Sequence, residues 1–114
     1  MPIQHEDLPN GLRRVQLTGR LDIPGTQSIS MPFTSLAATT ERRVVTDLSG
    51  VEFLASIGIR ELIAVAKALR QRGGKMVLFV GDNAQVIKTR EVTGIDQLIP
   101  TFQSLDEADR EALA

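Results

Sequence analysis

The stretch Asp47-Leu48-Ser49-Gly50-Val51-Glu52-Phe53-Leu54-Ala55-Ser56-Ile57-Gly58-Ile59 organises the chain. It follows Val44-Val45-Thr46, a β-branched run that reads as the end of a buried strand. It leads into an amphipathic run from Ile59 to Leu69. The stretch therefore reads as strand, loop and helix start, with Ser56 where the loop becomes the helix. A serine there can accept a hydrogen bond from a first-turn N–H and serve as N-cap. The free N–H groups and the positive end of the helix dipole also favour an anion at that point. A phosphate on Ser56 would be tolerated locally while adding about −1.5 to −2 charges to the surface. From spacing alone, the plain reading of Ser56 is an ordinary N-cap.

On the amino-terminal side, Ile3 to Glu6 is a strand candidate and Leu8-Pro9-Asn10-Gly11 is a turn, Asn-Gly being a strong hairpin signal. Arg13 to Gly19 alternates polar and apolar residues, so Val15 and Leu17 should face the core. These two segments read as an antiparallel pair. Gly19-Arg20-Leu21-Asp22 ends the second strand, and Ile23-Pro24-Gly25-Thr26 reads as a breaker cluster. Ile29, Phe33, Leu36 and Ala37 then fit a helical stripe interrupted by Pro32. A proline inside a helix removes a hydrogen bond and clashes with the preceding turn. The expectation is a helix that begins at or near Pro32, or one with a distorted first half. Thr39-Thr40-Glu41 links it to a strand over Arg43 to Asp47.

On the carboxyl-terminal side, Ile59, Leu62, Ile63, Ala66 and Leu69 share one helical face, and Gly73-Gly74 is a stop. Lys75 to Val80 is a nearly continuous apolar run flanked by glycine, which reads as a buried strand. Gly81-Asp82-Asn83 is a turn with a cap, Ala84 to Val92 a short helix ended by Thr93-Gly94, and Ile95 to Phe102 a short strand broken by Pro100. Ser104-Leu105-Asp106-Glu107 is a capping box opening a last helix to about Leu113. Strand-helix alternation after residue 43 implies parallel pairs joined by crossover helices. The fold class that follows is α/β: one domain over 1–114, a small mixed sheet of about five strands with four helices packed on it.

Asp47-Leu48-Ser49, Val51, Phe53-Leu54, Ser56, Gly58 and Ile59 together resemble the signature of the STAS domain, the family of bacterial anti-sigma factor antagonists and of cytoplasmic domains of some anion transporters. Gly19-Arg20-Leu21-Asp22 and Thr93-Gly94-Ile95-Asp96-Gln97-Leu98 add to the resemblance, which runs from Val15 to about Ala112. It implies that Ser56 is the phosphorylation site and lies on a surface-facing edge. It implies a partner-binding surface of Asp22, Ala55, Ser56, Ile57 and Gly58. It also implies a cycle of partner switching. The unphosphorylated domain binds an anti-sigma factor that is itself a serine kinase, phosphorylation breaks the contact, and a serine phosphatase of the phosphatase 2C type resets it. One departure stands beside Ser56: the antagonists this chain resembles usually carry Asp there, and this chain has Ala55. That departure keeps open a phosphorylation-independent scaffold. A soluble subunit of a membrane transport complex, and a regulator of secretion or signalling, are open as well. Asp22 has two readings, an acidic rim beside the serine or a turn-former before Pro24. Ile59 is expected inside and Ile57 partly exposed.

The bulk numbers agree with a binding domain. Hydrophobic residues are 42% and charged residues 24% of 114, ordinary for one globular domain. A net charge of −1, from 13 basic and 14 acidic residues, argues against a nucleic-acid surface. There is no cysteine, and the single His5 reads as a surface residue near the terminus. Asp22, Asp47 and Glu52 form no recognisable metal set, so Asp47 is expected to brace the loop instead. The glycines do not build a phosphate loop. No nucleophile-base pair, metal site or cofactor motif is visible, so no enzyme activity is expected. No run approaches the roughly eighteen apolar residues of a membrane span, and the amino terminus lacks signal-peptide character. The expected setting is the cytoplasm, without membrane insertion.

Overall fold

The polar-apolar alternation of the second strand segment, joined to the first by a turn, produces a hairpin. β1 (Ile3–Asp7) pairs antiparallel with β2 (Leu12–Leu21), from Ile3 opposite Leu17 to Asp7 opposite Arg13. Val15 and Leu17 are fully buried, as the period-two pattern requires. The computed structural model describes residues 2–38 and 42–114. The expected link Thr39-Thr40-Glu41 lies outside the described residues.

β3 (Arg43–Leu54), β4 (Lys75–Phe79) and β5 (Thr101–Phe102) add to β2 in parallel, giving the order β1-β2-β3-β4-β5. The crossovers run through α1 (Ile23–Ala37), α2 (Ser56–Gln71) and α3 (Ala84–Thr93), the last followed by a 3₁₀ turn at Ile95–Gln97. α4 (Leu105–Leu113) closes the chain, its cap Ser104 Oγ accepting from the Glu107 N–H at 3.4 Å. The architecture is the mixed sheet of five strands and four helices read from the sequence.

The sheet is covered on both faces. One face packs Val15, Leu17, Val44, Leu48 and Leu78 against α1, α2 and α3 through Phe33, Leu62, Leu69 and Val86. The other packs Leu12, Val45 and Val77 against Ala108 and Ala112 of α4. In α2 the fully buried positions are Gly58, Leu62, Val65 and Leu69. Ile59, Ile63 and Ala66 flank that stripe and are only partly buried, so the expected face is rotated by part of a turn and Ile59 is less enclosed than read. At the carboxyl end of α2 the Gly73 N–H donates to the Arg70 carbonyl and the Gly74 N–H to the Leu69 carbonyl, the Schellman pattern. Gly73 sits at φ +86°, which a residue with a Cβ would resist.

α1 corrects the reading of its segment. Ile23-Pro24-Gly25-Thr26 is the first turn of the helix, and the helix runs unbroken through Pro32. Pro24 stands in the first turn, where its missing N–H has no intrahelical partner to lose. Asp22 caps that turn, its Oδ1 accepting from the Gly25 N–H at 3.0 Å. Pro32 deprives the Ser28 carbonyl of a donor, and both residues are exposed, on a face of the helix open to solvent.

Candidate functional site

β3 stays paired with β2 through Leu54, where a loop was expected. The Asp47–Leu54 segment is strand carrying two irregularities. β2 advances five positions from Gln16 to Leu21, while β3 advances seven from Asp47 to Leu54. The surplus residues fall between Asp47 and Gly50 and between Val51 and Phe53. A bulge of this kind leaves a residue unpaired and bends the strand. Asp47 braces the first one, as expected of its carboxylate. Its Oδ1 accepts from the Ser49 N–H at 2.8 Å and from the Ser49 hydroxyl at 2.6 Å. Asn83 braces both from the next turn. Its Nδ2 donates to the carbonyls of Leu48 at 3.0 Å and Val51 at 2.7 Å, while its Oδ1 accepts from the Val86 N–H and caps α3. The sequence shows Asn83 only as a cap; its second role depends on a fold contact more than thirty residues away in the chain.

A single residue, Ala55, joins β3 to α2. Its N–H donates to the Leu21 carbonyl at 3.1 Å, the last bond between the two strand ends, and its own carbonyl accepts from the Ile59 N–H at 3.0 Å. Ala55 is therefore the N-cap, extended at φ −85° and ψ 170°, and no side chain caps α2. The expected role of Ser56 as N-cap is corrected. Only the extended backbone of the N-cap turns its side chain over the first-turn N–H groups. Ser56 is the first helical residue, and its side chain points out instead.

The structure places the five expected contact residues at this strand-helix junction, at different depths. Ser56 is exposed, Ala55 and Ile57 are half-buried, and Gly58 is buried. A Cβ on Gly58 would stand 2.9 Å from the Leu21 Cβ and 2.9 Å from Leu54 Cδ1, so glycine lets α2 sit down on the strand ends. Gly58 supports this surface from beneath rather than forming it.

Asp22 lies one residue beyond the Leu21 carbonyl that holds Ala55. It is the cap of α1, which agrees with its reading as a turn-former before Pro24. Its Oδ2 accepts from Arg20 Nε at 3.3 Å, and the Arg20 guanidinium lies over the Phe53 ring, 4.6 Å from its centroid. The Gly25 N–H, and then Arg20, hold the Asp22 carboxyl below the usual carboxylate range. The neighbouring Ile23 is 61% exposed, a large apolar side chain open to solvent. Arg20, Phe53 and Ile23 were not read from the sequence as site residues. Arg20 faces Phe53 only because of the second bulge, which sequence periodicity does not reveal.

Among the described residues Ser56 Oγ makes no hydrogen bond, so no side chain there draws off its proton. Among the described residues no cluster of three or more His, Cys, Asp or Glu could hold a metal ion, and no helix is long and apolar enough to cross a membrane.

A five-stranded mixed sheet with a serine exposed at the β3–α2 junction defines an α/β domain of the STAS type. The STAS domain family model matches residues 7–108, and the chain belongs to that family. A Bordetella bronchiseptica protein described as an anti-sigma factor antagonist, BtrV, is 28% identical over 102 residues, covering 90% of this chain and 87% of that one. An anti-sigma factor antagonist from Mycobacterium paratuberculosis has the same fold, with TM-score 0.85 and 24% identity over 98% of this chain and 93% of that one. The Bacillus cell fate determinant SpoIIAA in its phosphorylated form is also similar, with TM-score 0.64 and 18% identity over 96% of this chain and 98% of that one.

Proposed function

We propose that this protein is an anti-sigma factor antagonist that works by partner switching controlled at Ser56. The observation that carries the reading is the exposed, unengaged hydroxyl of Ser56 on a one-residue junction between a strand and a helix. Around it lie a half-buried Ile57 and an exposed Ile23, apolar groups of the kind that anchor a protein contact. Unphosphorylated, this surface docks on an anti-sigma factor serine kinase in the cytoplasm. A phosphate brings roughly two negative charges into the contact, and charge left unpaired on burial is costly, so the complex separates. A phosphatase of the 2C type restores the binding form. Function on this reading is a surface with a switchable charge. The relation to BtrV and the phosphorylated form of SpoIIAA support it.

The second reading is a phosphorylation-independent scaffold, and Ala55 favours it, since a carboxylate is usual beside the serine in the antagonists this chain resembles. One experiment separates the two. Partner proteins are captured from the native cell and identified by mass spectrometry, then titrated with the parent, Ser56→Ala and Ser56→Asp. Partner switching predicts that Ser56→Ala binds like the parent and Ser56→Asp binds at least about tenfold more weakly, roughly 1.4 kcal/mol. Equal affinity of the three forms would leave the scaffold.

A further inference from the structure

Ser56, Arg60, Ala64, Lys67 and Gln71 form the exposed stripe of α2. Ser56 is already helical, so Arg60 stands four residues on, one turn along the same face. Residues at this spacing have Cβ atoms about 5–6 Å apart, well within reach of an arginine side chain. The remaining charges near Ser56 are differently occupied. Arg20 is engaged with Asp22 and Phe53. Glu61 accepts from the Ser30 hydroxyl at 3.1 Å, toward α1. Glu52, also exposed, carries negative charge on β3. Among the described residues Arg60 forms no ion pair or hydrogen bond, so it is a cation without an anion, one turn from a hydroxyl without a partner.

We infer that Arg60 is the internal receptor for a phosphate on Ser56. The inference rests on the proposed modification of Ser56 and adds a regulatory residue to it. The guanidinium offers paired N–H donors that match a phosphate's oxygens. Modification then does two things to the docking face. It adds the phosphate charge, and it draws in Arg60 from one turn along the helix. The free phosphorylated domain is thereby favoured over one whose phosphate stands alone. A partner that uses Arg60 loses it at the same moment. Ser56→Asp, with a shorter side chain and a single charge, reproduces this only in part.

The test needs no kinase, so its failure is separable from failure of the switching reading. Full-length chain is made with phosphoserine encoded at position 56, as the parent and as Arg60→Gln and Arg60→Lys. The phosphorus NMR signal is titrated with pH through the second ionisation of the phosphate. Arg60 favours the dianion, so the parent should bind its proton about 1.5- to twofold more weakly than Arg60→Gln, the size expected of a helical charge pair at this spacing. Arg60→Lys should restore part of the difference, and half-molar salt should shrink it. Arg60 is exposed, so all three proteins should fold, and matching circular dichroism verifies that. Coincident titration curves for the parent and Arg60→Gln would overturn the inference and leave the Ser56 switch standing. Absence of phosphate on Ser56 in the cell would overturn the switch and leave the charge pair standing.

Discussion

The side-chain amide of Asn83 donates to the backbone carbonyl of Val51 across 2.7 Å, fastening the turn after β4 to the second bulge of β3. The same amide reaches Leu48, and its oxygen caps α3. One side chain thus fixes the strand that presents Ser56 and starts the next helix.

Asn83 is accordingly the polar residue whose loss should disturb the junction most. Asn83→Ala removes a cap, at about 1 kcal/mol, and leaves part-buried carbonyls short of a donor, at about 1–3 kcal/mol. Asn83→Asp keeps the capping oxygen but sets a carboxylate against those carbonyls, so it should not rescue the alanine variant. Urea denaturation of both variants measures this. An Asn83→Asp protein as stable as the parent would show that the cap, and not the grip on β3, is what matters.

Thr46 lies fully buried in β3, and among the described residues its hydroxyl has no hydrogen-bond partner. A buried polar group without a partner costs free energy, and valine has nearly the same shape. Thr46→Val should therefore raise stability by about 1 kcal/mol. A lower denaturation midpoint would indicate that the hydroxyl finds a partner in solution.

Ala55→Asp should act twice. As the N-cap of α2, position 55 has the extended backbone that lets a carboxylate accept from the first-turn N–H groups. Gain of that missing cap should stabilise the domain by about 0.5–2 kcal/mol. A carboxylate beside Ser56 should also orient its hydroxyl and speed phosphate incorporation by about tenfold with the cognate kinase. Ser56→Ala, by contrast, removes no cap and should change stability by less than about 0.5 kcal/mol. Thermal unfolding of the two variants checks the stability halves, and initial phosphorylation rates check the other. A Ser56→Ala protein that melts markedly earlier would return the capping role to Ser56.

Acid should loosen the α1 cap. The Asp22 carboxyl is held below its usual range, first by the Gly25 N–H and then by Arg20. A carboxyl depressed in the folded state adds stability above its unfolded pKa, near 3.9. That contribution is lost as pH falls through the lower, folded value. Asp22→Asn keeps a capping oxygen and cannot titrate. The stability difference between parent and Asp22→Asn should thus be constant near neutrality and narrow below about pH 4. A difference that stays constant through the acid range would remove Asp22 from the acid response.

Where local chemistry repeats, the sequence was legible. Alternation placed Val15 and Leu17 in the core, and Gly73-Gly74 marked the end of α2. Asp47 was readable as a brace because a short carboxylate beside Ser-Gly commonly closes such a turn. Two things hid the rest. The surplus residues in β3 break the period of two, so Leu48 to Leu54 looked like a loop although it is strand. Pro24 and Pro32 spoke against a helix, yet one sits in the first turn, where its missing N–H has no intrahelical partner, and the other lies inside a helix that the packing of Ile29 and Phe33 in the core sustains. The site followed the same division. Ser56 stood out by its neighbours, but its place inside the helix turned on where the strand stopped. The Asn83 grip and the Arg20–Phe53 stack are products of tertiary register.

With only Ala55 between β3 and α2, the chain has no slack at the junction. Ser56 cannot be drawn out into an extended conformation unless the first turn of α2 unwinds or the Leu21–Ala55 bond opens. Any enzyme that acts on it must therefore recognise a shape assembled from β2, β3 and the starts of two helices. On the proposed reading of Ser56 the target is a conformational epitope, and a short peptide copying the residues around Ser56 would carry the letters of the site without its identity.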